Sequence, residues 1–60
     1  RFSGAATDYV NIGFIESRLG NQAQAIKTFQ TALKYAEAFD ESEVSDLIKN
    51  EIKKLENNLK

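Results

Sequence analysis

The chain has sixty residues, with eight Lys and Arg against nine Asp and Glu, and it contains no His, Cys, Met, Trp or Pro. That length supports one small core at most, and a net charge of -1 gives no electrostatic drive toward nucleic acid or an anionic membrane. Without Cys there is no disulfide framework, without His and Cys the usual ligands of zinc and haem are missing, and no apolar run approaches the ~20 residues that span a bilayer. No metal or other cofactor is expected. The absence of Cys and of any signal or membrane segment is compatible with a cytoplasmic protein.

The apolar spacing predicts a first helix from about Ala5 to Leu19. Tyr9, Ile12, Gly13 and Leu19 share one face of it, and Val10 and Phe14 lie about a third of a turn away, so the helix is apolar on more than one side. Gly20 suits the left-handed position that closes a helix. Asn21 follows it as a side-chain cap for the next helix, aimed at the amide near Gln24.

A second helix is expected from Gln22 to about Phe39. Ala25, Phe29, Ala32, Ala36 and Phe39 recur at steps of four and three, flanked by Ile26 and Leu33. The alanines let a neighbouring helix come close, and the two phenylalanines fill the space between them.

At Asp40 the signals change again. Asp40 and Glu43 read as a capping box, with Phe39 and Val44 as the apolar staple across it. A third helix follows, with Val44, Leu47, Ile48, Ile52, Leu55 and Leu59 in one stripe and polar residues elsewhere. Asp40, Glu41, Glu43 and Asp46 at its start and Lys53, Lys54 and Lys60 toward its end match the helix dipole. The acidic cluster lacks the glycine and alternating oxygen ligands of a calcium loop, and dipole stabilisation explains it.

Taken together, Tyr9, Ile12-Gly13, Gly20-Asn21, Ala25-Ile26, Phe29 and Ala32-Leu33 stand at the intervals of the tetratricopeptide repeat, which residues 6–39 resemble. The resemblance implies an all-α fold: an antiparallel helical hairpin over 6–39, preceded by a lead-in over 1–5 and followed by a third amphipathic capping helix over 40–60. Two positions depart from the family. Glu16 stands where a buried aromatic is usual, so that it either lies at the rim or pairs with a cation. Glu37 stands where the closing Pro is usual, which lengthens the second helix by about a turn.

The resemblance further implies a scaffold that binds a peptide or helix of another protein, and not an enzyme. In this family the inner face of the first helix lines a concave groove, and here that face is Thr7, Val10, Asn11, Phe14 and Arg18. Val10 and Phe14 are apolar where the repeat's own core does not require them, which suits either a ligand or a neighbouring repeat. Asn11 suits a ligand backbone and Arg18 a carboxylate, although single exposed residues of these types are commonly just solvated.

The first residue is Arg1 and not Met, and stacks of repeats need about three units. A preceding repeat of the parent chain, or a second copy, is therefore expected against the first helix. The rival reading is a small oligomerisation module that self-associates through the first helix or through the third-helix stripe, whose spacing approaches a coiled-coil seam. Tyr9, Ser17, Lys27 and Tyr35 are reactive side chains in principle, but none has a base or oxyanion donor at a telling interval.

Overall fold

The computed structural model describes residues 4–58, which form three helices: α1 (Ala5–Arg18), α2 (Gln22–Ala38) and α3 (Ser42–Asn58). They pack in chain order, with α2 in the middle contacting both neighbours and α1 touching α3 far less. Leu59 and Lys60 lie outside the described residues, and with them the last position of the third-helix stripe.

The two turns have the same hydrogen-bond design. After α1, Gly20 adopts φ 87°, its N–H donates to the Ser17 carbonyl at 3.1 Å, and the Asn21 N–H donates to the Glu16 carbonyl at 2.9 Å. After α2, Asp40 adopts φ 56°, its N–H donates to the Glu37 carbonyl at 3.2 Å, and the Glu41 N–H donates to the Ala36 carbonyl at 2.8 Å. Each pair of bonds is a Schellman closure, which satisfies carbonyls that a helix end would otherwise leave bare.

The second turn corrects the expected capping box. Asp40 is the left-handed residue that closes α2, and the carbonyl of Glu41, one position later, accepts the first bond of α3 from the Ser45 N–H at 2.9 Å. The Asp40–Glu43 box and the Phe39–Val44 staple are thereby out of register by one residue, and Phe39 stays partly exposed. Asn21 likewise makes no side-chain cap bond; it starts α2 through its carbonyl, which accepts from the Ala25 N–H at 2.9 Å.

The core follows α2. Ala25, Phe29, Ala32 and Ala36 are fully buried and meet Ala6 and Val10 of α1 and Ile48 and Leu55 of α3 in one cluster. Gly13 faces the Phe29 ring so closely that a methyl carbon built on it falls 2.8 Å from Cε1, so the hairpin closes at this distance only with glycine there. The Phe14 ring meets the Phe29 ring edge to face, centroids 5.4 Å apart, and Tyr9 stacks on Tyr35 at 5.4 Å and 11°. Such ring pairs add to the area they bury.

The buried arc of α1 differs from the expected one. With Gly13 turned to Phe29, the positions three and seven residues earlier, Val10 and Ala6, share its face and enter the core. Val10 and Phe14 therefore belong to the chain's own packing, while Ile12 and Leu19 point away, 45% and 72% exposed. α3 shows a similar rotation: Ile48, Leu55 and Ser45 are buried, Val44 and Ile52 are half-buried, and Leu47 is 46% exposed.

Glu16 lies at the edge of the α1–α2 seam and takes a neutral partner. It is half-buried, and the Thr28 hydroxyl donates a 2.6 Å hydrogen bond to its Oε1 across the α1–α2 seam.

Candidate protein-binding groove

Because α1 and α3 both lean on α2 and hardly meet, a furrow runs between them. Its apolar part is a notch of about 250 Å³ lined by Thr7, Val10, Glu43, Val44 and Leu47. Val10 is buried and Val44 half-buried, and the exposed Leu47 leaves apolar surface open to solvent. Thr7 and Glu43, both exposed, supply the polar groups.

A second depression adjoins it and shares Glu43 and Val44. It measures about 340 Å³ and is lined further by Asp40, Glu41 and Ser42. The turn that closes α2 and the first turn of α3 thus set carboxylates beside the apolar notch.

Of the five residues expected on the binding face, Thr7 and Val10 line the notch. Asn11 and Arg18 are exposed on α1 without lining it, and Phe14 is half-buried against Phe29. Glu43, Val44 and Leu47 were not expected there, because the third helix reads as a cap. The available signal was Leu47 itself, an apolar residue beside Ile48 that a narrow stripe does not need.

The repeat-signature positions divide. Gly13, Ala25, Phe29 and Ala32 are buried together, Gly20 makes the turn, and Tyr9 packs on Tyr35. Ile12 instead lines a separate furrow on the other side of α1 with Ala5, Asp8, Tyr9 and Tyr35. Exposed Ile15 and Leu19 continue the apolar surface along the same helix.

The third-helix stripe is occupied within the chain, since Ile48 and Leu55 are buried in the core shared with α2. Among the described residues no group of three or more His, Cys, Asp or Glu is placed to hold a metal ion, and no helix is long and apolar enough to cross a membrane. No family model, curated protein or solved structure matches the chain.

Proposed function

We propose that the chain is a protein-interaction scaffold, the terminal part of a tetratricopeptide-type array, that receives a peptide or helix of another protein in the furrow between α1 and α3. The observation that carries this reading is the open apolar notch of Thr7, Val10, Val44 and Leu47, on the helix face where such repeats take their ligands. The close approach of Gly13 to Phe29 and the buried Ala25 and Ala32 support the repeat assignment, because they give its small and aromatic positions a packing reason. The reading assigns no catalysis and places the chain in the cytoplasm, in keeping with the lack of Cys.

The test is amide chemical-shift mapping of the labelled chain against a panel of blocked peptides. Shifts gathered on Thr7, Val10, Glu43, Val44 and Leu47 support the proposal; a panel that moves none of them overturns it.

A second reading has its own observation. Ile12, Ile15 and Leu19 form an exposed apolar row on the opposite side of α1, suited to a preceding repeat or to a second copy. Sedimentation over a concentration series separates self-association from a monomer, and Leu19→Glu abolishes any dimer made through this row.

A further inference from the structure

We infer that the outer face of α1 pairs with the same face of a second copy, antiparallel about a two-fold axis, with Asp8 of each copy meeting Arg18 of the other. The inference rests on the second reading of that face as a contact surface. It commits the contact to a second copy and adds its direction and its charge pairs.

The face has an apolar middle and a charge at each end. The intervals of four, three and four from Asp8 through Ile12 and Ile15 to Leu19 hold these residues in one line along the helix. Ile12, Ile15 and Leu19 are all exposed. Asp8 lies in the first turn of α1 and Arg18 in its last, beside Leu19, and both are exposed. Among the described residues the ion pair is Glu51 with Lys54 on α3, so neither Asp8 nor Arg18 is engaged by an opposite charge. Glu16, the other acid on this helix, already accepts the Thr28 hydroxyl.

The spacing sets the direction. Asp8 stands about 8 Å before the midpoint of Ile12 and Ile15, and Arg18 about 7 Å beyond it, at ~1.5 Å of rise per residue. A two-fold axis through that midpoint lays Ile12 against Ile15 of the other copy. It also brings each Asp8 level with the other copy's Arg18 to within about 1.5 Å, a mismatch that the arginine side chain spans. A parallel pairing would instead oppose Asp8 to Asp8 and Arg18 to Arg18, which repels. The face thus complements itself, in one direction, and a second copy carries the charges it calls for.

The test is sedimentation of the 60-residue chain from micromolar concentration to about 1 mM, beside Asp8→Arg, Arg18→Glu and an equimolar mixture of the two variants. Circular dichroism checks that each variant keeps its helices. The parent chain should dimerise reversibly. Each single variant opposes like charges at both contacts and should dimerise about tenfold or more weakly. The mixture should recover the parent's affinity, because a mixed dimer restores an opposite-charge pair at both ends. If Asp8→Arg loses its helical signal, Asp8→Asn takes its place, and the mixture should still dimerise more tightly than Arg18→Glu alone.

Single variants that weaken the dimer without recovery in the mixture overturn the antiparallel pairing. A dimer lost in Leu19→Glu but unchanged in both charge variants overturns the charge pairs and leaves the α1 contact standing. A parent chain that stays monomeric throughout, or a dimer that Leu19→Glu leaves intact, overturns the inference and a second copy on this face together.

Discussion

The ring of Phe29 stands where a side chain on Gly13 would have to be: a methyl carbon there falls 2.8 Å from Cε1 and 2.9 Å from Cζ. Phe29 is fully buried, so its ring has nowhere to retreat without opening the hairpin. Gly13→Ala gains about 1 kcal/mol of helix propensity and loses about 1–3 kcal/mol to overpacking. The net is a lower urea midpoint. Gly20→Ala also lowers it, by about 1 kcal/mol, but for another reason, since nothing lies within 4 Å of its added carbon and the cost is the φ of 87° alone. Gly13→Ala combined with Phe29→Leu should cost less than the sum of the two single changes, whereas Gly20→Ala and Phe29→Leu should simply add.

The Thr28–Glu16 hydrogen bond joins α1 to α2 at a position sequence spacing does not announce. Thr28→Val keeps the shape and removes the donor from a half-buried carboxylate, so the expected loss is about 1 kcal/mol. Thr28→Ser keeps the donor and should lose less. Thermal midpoints of the two variants decide it: equal midpoints would mean the bond contributes nothing.

Asp40 closes α2 at φ 56° in the role that Gly20 plays after α1. Asp tolerates this conformation less well than Gly, so Asp40→Gly should raise stability by roughly 0.5–1 kcal/mol. The midpoint of chemical denaturation checks it: an unchanged or lower midpoint would mean that Asp40 carries no backbone strain.

Within α3, two adjacent apolar residues should behave differently. Ile48 is fully buried and Leu47 is 46% exposed. Ile48→Ala is expected to cost about 2–5 kcal/mol, comparable to the ~3–5 kcal/mol that a core of this size supplies, and so to leave the chain largely unfolded by circular dichroism at room temperature. Leu47→Ala should stay within about 0.5 kcal/mol of the parent.

The three helices and the core line of α2 as far as Ala36 were legible in the sequence, whereas Phe39, expected as its last member, is exposed. Ala25, Phe29, Ala32 and Ala36 leave one consistent face, and Gly20 has one natural use. The rotation of α1 was not legible, because Val10 and Phe14 on one side and Tyr9, Ile12 and Leu19 on the other are all apolar, and periodicity cannot choose between two faces that both qualify. The contact of Gly13 with Phe29 chooses, and it is a tertiary fact. Asp40 misled for a related reason: the same residue type opens helices through its side chain and closes them in the left-handed region, and the backbone bonds of Glu41 with Ala36 and Ser45 with Glu41 decide between these. The notch was half visible, through Thr7 and Val10, while Glu43, Val44 and Leu47 entered it only once α3 lay beside α1.

The linear order of the helices gives the molecule two unlike ends. At one end α1 shows Ile12, Ile15 and Leu19 to solvent; along α3, exposed Asp46, Lys49, Asn50, Lys53 and Glu56 are polar. Head-to-tail growth needs the two ends to match each other, and an apolar row does not match a charged one. A second copy meeting this row about a two-fold axis would cover both rows at once, a contact that closes on itself.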